Sequence, residues 1–131
     1  MADLTHYAHG KGVAVEAEVG HLATGAAGVL GDGESVPTDP GQAARFVQAT
    51  GIDILAVSVG NVHILLDGRQ RLDLDRLAAI RARVAIPFDL HGGSGIPAES
   101  LEGAIRLGVA KVCYGTCLKQ RYLEALRRGL A

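Results

Sequence analysis

The chain has 131 residues, 48% hydrophobic and 21% charged, with 13 Lys+Arg against 14 Asp+Glu and a formal net charge of −1. This predicts one globular domain, residues 1–131, long enough to bury a core, with no basic face for nucleic acid and no apolar run that would span a membrane. No basic-then-apolar leader is visible and Cys113 and Cys117 make no disulfide framework, so a reduced, cytoplasmic setting is expected.

A short helical piece from Asp3 to His9 is predicted first, with His6 and His9 solvated or at the helix end. A strand follows over Val13–Val19, then a glycine-rich loop from Gly20 to Thr38 that holds His21, Asp32 and Glu34. A loop this long is usually functional or mobile, and Asp32 or Glu34 is a candidate acid or base; the plainer reading is a solvated glycine loop. Thr38-Asp39-Pro40 reads as a capped helix start, with Ala43, Ala44, Phe46 and Val47 buried and Gly51 as the stop. Ile54–Val59 is an apolar strand leading into Gly60-Asn61-Val62-His63. Leu74, Leu77, Ile80 and Val84 fall at helical spacing from Asp73 to about Val84. Phe88-Asp89-Leu90 is a short strand after Pro87. Pro97 opens a helix that Gly108 closes, Val109–Tyr114 is the last strand, and a helix runs on from about Thr116.

Strands without polar alternation suit a parallel sheet covered by helices. Four strand–helix units are counted, an α/β half barrel of the TIM type. In such units the loops after the strands gather on one rim, where sites sit. Glu18, His63, His91, Ser94 and Thr116 all map to it. One strand-end histidine is more often structural than a ligand. Two on successive strands favour a divalent metal, which needs three or more donors at about 2.0–2.2 Å. Glu16 and Glu18 share a strand face. One of them is a candidate ligand and the other a holder of a histidine N–H; an internal ion pair with Lys111 is the alternative. Gly92-Gly93-Ser94-Gly95 and Gly115-Thr116 read as two loops whose backbone N–H groups approach an anion. Cys113 and Cys117 read as small packing residues rather than metal ligands.

Val15-Glu16-Ala17-Glu18-Val19-Gly20, Thr38-Asp39-Pro40, Val59-Gly60-Asn61-Val62-His63, Leu90-His91-Gly92-Gly93-Ser94-Gly95-Ile96-Pro97 and Gly108–Thr116 occur in one order along the chain. Together they resemble the class II, metal-dependent fructose-bisphosphate and tagatose-bisphosphate aldolases. The resemblance implies the last four strand–helix units of a TIM barrel and retro-aldol cleavage of a ketose bisphosphate to dihydroxyacetone phosphate and glyceraldehyde 3-phosphate. It implies Zn2+ held by His63 and His91 with Glu18 near it, and a phosphate held by Gly92, Gly93, Ser94, Gly115 and Thr116.

The chain departs from the family in several places. The first-half Asp-His motif, source of the acid/base aspartate and another zinc histidine, is absent. The family usually has Asn at the place of Cys113 and Gly at that of Ile64, and its Glu-Glu-Asp segment is not recognisable in residues 21–25. The alternative is a non-catalytic truncated or engineered half-barrel scaffold that keeps zinc or phosphate binding. A half barrel has two open edges and, on this reading, an apolar inner face. It is therefore expected to self-associate as a homodimer or larger homo-oligomer, or to pair with an N-terminal half barrel.

Overall fold

The computed structural model describes residues 1–22, 35–63 and 69–130. Asp32, Glu34 and Ile64 lie outside the described residues. Helix α1 (Ala2–His9) precedes β1 (Glu16–Val19), α2 (Pro40–Thr50), β2 (Ile54–Val57), α3 (Leu74–Arg81), β3 (Phe88–Leu90), α4 (Ala98–Arg106), β4 (Val109–Val112) and α5 (Thr116–Leu130). The four strands form one parallel sheet in the order β1-β2-β3-β4, the α/β half barrel that the strand–helix alternation predicts.

The helix starts are local chemistry. Asp39 Oδ1 accepts the Gln42 N–H at 2.7 Å with Pro40 in the first turn, and Gly51 stops α2 in the left-handed region at φ 67°. Asp73 caps α3 in the same way through the Arg76 N–H at 2.9 Å. Thr38 does a different job: buried, it donates to the Val19 carbonyl and accepts the Ser58 N–H at 2.8 Å, stitching β1 to β2 at the rim.

Two strands are shorter than their apolar runs because side chains take their backbone donors, and a third, β4, is also shorter than its run. The Val15 N–H goes to Asp53 Oδ2 at 2.7 Å, so β1 begins at Glu16 rather than Val13. The Ser58 and Val59 N–H groups go to Thr38 Oγ1 and Asn61 Oδ1, which ends β2 at Val57. β4 ends at Val112, although the Cys113 N–H still reaches the Leu90 carbonyl at 2.8 Å. His9 is exposed at the end of α1, as expected, and also meets Asp53 Oδ2 through Nε2 at 2.8 Å.

The core lies between the sheet and its covering helices: Leu55, Val57, Phe88 and Leu90 from the strands meet Ala43, Leu77, Ile80 and Ala104 from α2, α3 and α4. These strand residues all share one face, which leaves the alternate residues to the other. That inner face is not apolar, as the sequence suggested. It carries Glu16 and Glu18 of β1, Ala56 of β2, Asp89 of β3 and Lys111 of β4, with Glu18, Ala56, Asp89 and Lys111 in one register row. A bulge between Phe88 and Asp89 brings Lys111, rather than Ala110, opposite Asp89. The Lys111 ammonium meets Glu16 Oε2 at 2.7 Å and Asp89 Oδ2 at 3.0 Å. β1 and β4 are the outer strands, so this contact needs a strongly curled sheet, and Ala56, with only a methyl group, leaves room for it.

Candidate metal and phosphate site

Asn61 builds the rim between β2 and β3. Its buried amide accepts the Val59 N–H at 2.9 Å and donates to the Val57 and His91 carbonyls at 3.2 and 3.0 Å. The chain leaving β2 is thereby tied to the chain leaving β3, and the His63 and His91 rings stand 5.6 Å apart between centroids. Gly92 makes this approach possible. It sits at φ 71°, and a Cβ there would lie 2.2 Å from the Val62 carbonyl oxygen.

His91 is held along both edges of its ring. Nδ1 lies 3.2 Å from Glu18 Oε2, while Nε2 lies 3.2 Å from Asp89 Oδ2 and 3.4 Å from Glu16 Oε1. Glu18, His63 and His91 each offer a ligand atom, and these atoms lie within 4.8 Å of one another. One carboxylate and two imidazoles is a donor set that zinc accepts. The Nδ1–Glu18 separation fits as well, since bonds of 2.0–2.2 Å at tetrahedral angles put neighbouring donors roughly 3.3–3.6 Å apart. The two readings of the glutamates prove compatible: Glu18 faces the histidine pair, and Glu16 pairs with Lys111 while reaching His91.

A cavity of about 320 Å³ opens beside the histidines, lined by Val62, His63, His91, Gly92, Ser94, Cys113, Gly115, Thr116 and Lys119. Most of the residues predicted to hold phosphate are therefore together. Gly93 is buried behind them. Its N–H donates to the Cys113 carbonyl at 3.0 Å, and a Cβ would strike Val112 Cγ1 at 2.7 Å, so this glycine serves packing. Ser94 Oγ accepts the Cys117 N–H at 3.1 Å, which fixes the start of α5 against the Gly93–Gly95 turn. Lys119, one turn into α5, adds a cation to the cavity wall.

Asp89 passed unremarked in the sequence, where the signal was a carboxylate inside a three-residue apolar strand. It is fully buried. Burial alone would raise its pKa, but hydrogen bonds from Lys111 and Cys113 outweigh this and hold it below the ordinary carboxylate value. Lys111 is raised by Glu16 and then Asp89, and stays protonated. Burial, and then Asp89, push the Cys113 thiol up. Cys113 is thus no mere packing residue: its Sγ stands 3.4 Å from Asp89 Oδ2.

The family model for class-II fructose-bisphosphate aldolase matches residues 1–130. The chain belongs to that family. Among solved structures it resembles the YdjI aldolase from Escherichia coli K12 (35% identity, TM-score 0.78), covering 97% of this chain and 42% of that one. A candidate fructose-1,6-bisphosphate aldolase from Coccidioides immitis matches at 36% identity and TM-score 0.80, over 96% of this chain and 45% of that one. The fructose-bisphosphate aldolase from Campylobacter jejuni matches at 25% and 0.73, over 97% and 38%. The chain therefore spans less than half the length of each of these relatives. Class II aldolases are generally metal-dependent, in keeping with the donor group at the rim. No helix among the described residues is long and apolar enough to cross a membrane.

Proposed function

We propose that this chain supplies the second-half wall of a zinc-dependent ketose-bisphosphate aldolase site, cleaving fructose or tagatose 1,6-bisphosphate to dihydroxyacetone phosphate and glyceraldehyde 3-phosphate. The observation that carries this is the meeting of Glu18, His63 and His91 at one rim beside the Gly92–Ser94 and Gly115–Thr116 loops. His63 and His91 hold the zinc with Glu18. When bound, the ion would act as a Lewis acid on the substrate ketone. Gly92, Ser94, Gly115 and Thr116, with Lys119, hold the phosphate and so fix the carbon chain against the metal-binding residues. The acid/base aspartate and a further histidine come from an N-terminal half-barrel partner, since a second copy of this chain would close the barrel but lacks the Asp-His motif as well.

Residues 1–131 form one half-barrel unit in this reading, and the complete site needs both halves. Two structural features favour association. Among the described residues no strand pairs with the outer sides of β1 and β4, and α5 exposes Leu118, Tyr122, Leu123, Leu126 and Leu130, with none of its 15 residues buried. The second reading, a self-associating half barrel that binds metal or phosphate without turnover, rests on the same features.

Cleavage of fructose and tagatose 1,6-bisphosphate with added zinc, measured alongside solution mass, separates the two. Activity in an assembled species, lowered at least ~100-fold by His63→Ala or His91→Ala, supports the aldolase. An assembly that binds zinc and dihydroxyacetone phosphate but stays inactive when the first half of a class II aldolase barrel is added supports the second reading.

A further inference from the structure

We propose that Cys113, Asp89 and the Nε2 edge of His91 form a second metal position, one that takes a thiophilic divalent ion such as zinc or cobalt. It lies on the opposite side of the His91 ring from Glu18. Ligand atoms of the three residues lie within 4.8 Å of one another. Two of the separations, 3.2 Å from Asp89 Oδ2 to His91 Nε2 and 3.4 Å from Asp89 Oδ2 to Cys113 Sγ, match neighbouring donors of one ion. Metal–sulfur bonds of about 2.3 Å and metal–nitrogen or –oxygen bonds of about 2.0–2.2 Å require donor edges of roughly 3.3–3.7 Å at tetrahedral angles.

The place already suits a cation. The Lys111 ammonium stands 3.0 Å from Asp89 Oδ2 on a side chain that is 46% exposed and also meets Glu16 at 2.7 Å, so a metal ion at this position would take its place on Asp89 and leave it on Glu16. A thiolate and a carboxylate neutralise a divalent ion, and a neutral imidazole completes three ligands with a fourth position open to the cavity. Cys113 lines that cavity together with His91.

Neutral imidazole has one nitrogen lone pair to offer, so His91 serves either Glu18 and His63 through one nitrogen or Asp89 and Cys113 through the other. The two positions are alternatives. A metal drawn to the sulfur side leaves the Glu18–His63 side, which makes this a storage or off-state position next to the proposed catalytic one. The inference shares His91 with the aldolase reading but needs neither its substrate nor its turnover.

Cobalt titration of the 131-residue chain, followed by absorption spectroscopy, tests it. A near-ultraviolet thiolate-to-cobalt charge-transfer band is expected in the unaltered protein. The band should persist in His63→Ala and in Cys117→Ser, and vanish in Cys113→Ser. Asp89→Asn should weaken cobalt binding at least ~10-fold. Circular dichroism of Cys113→Ser checks that the fold is kept. A band that survives Cys113→Ser, or that disappears in Cys117→Ser, overturns the proposal. Visible cobalt bands without any thiolate band also overturn it, while leaving the Glu18–His63–His91 reading standing. Loss of cobalt binding in His63→Ala with the thiolate band absent throughout assigns the metal to the first position alone.

Discussion

Gly92→Ala should damage the rim more than any other glycine-to-alanine change in its loops. Two separate penalties act there. The backbone is left-handed at φ 71°, which costs an L-residue about 1–2 kcal/mol. The added methyl also falls 2.2 Å from the Val62 carbonyl oxygen and 2.8 Å from its carbon, short of ordinary contact by more than an ångström against the oxygen. Both atoms are backbone and cannot rotate away, so an overpacking cost of about 1–3 kcal/mol is added. The expected total is roughly 2–5 kcal/mol, which lowers the melting temperature by roughly 7–18 °C in a domain of this size. Gly51→Ala isolates the first penalty, since its φ is 67° and nothing lies within 4 Å of the new Cβ; it should cost about 1 kcal/mol. Gly115→Ala carries neither penalty and has open space around it, so it should change stability by less than about 1 kcal/mol. Urea unfolding of the three variants gives the ranking. Equal stability of Gly92→Ala and Gly51→Ala would refute the argued contact with Val62. Because the displaced strand end carries His63, zinc affinity of Gly92→Ala should also fall by roughly 10-fold or more.

Lys111→Met strands the buried Asp89 carboxylate and should cost about 1–3 kcal/mol in urea unfolding; adding Asp89→Asn should recover much of it, and no recovery would deny the pair. Asn61→Ala removes the tie between the two strand ends and leaves the buried Val59 N–H without its partner. A loss of about 1–3 kcal/mol is expected, with weaker zinc binding measured by calorimetry. The Asp53 carboxyl is held below its ordinary pKa by the hydrogen bond from His9 and then by the Val15 N–H. A depressed folded-state pKa contributes stability above about pH 3.9 that is lost as pH falls through the folded value. Asp53→Asn should therefore flatten the acid limb of a stability–pH profile below pH ~4, and an unchanged limb would show that Asp53 does not set it.

Much of the fold is legible in the sequence because its signals are short-range. Asp39-Pro40 and Asp73 cap helices within three residues of themselves, and Gly51 stops α2 by its own φ. The strand ends are less legible. Thr38, Asn61 and Asp53 reach across 20, 2 and 38 residues to take backbone donors from the ladders, and only the 2-residue case is local. Of the candidate site, His63 and His91 stand out because each follows an apolar run. Asp89 does not, since a lone carboxylate in a strand carries no sign of its partners.

The sequence by itself determined that four strand–helix units follow one another and that the ordered motifs around Glu18, His63, His91 and Thr116 fall after strands. Strand period and helix caps depend only on neighbours along the chain. Tertiary structure alone decided which of those groups meet. The curl of the sheet over Ala56 joins Glu16 to Lys111, 95 residues away. The bulge in β3–β4 turns Lys111 toward Asp89, and the left-handed Gly92 sets His91 beside His63. Register and curvature are properties of the assembled sheet, so no stretch of the chain encodes them alone.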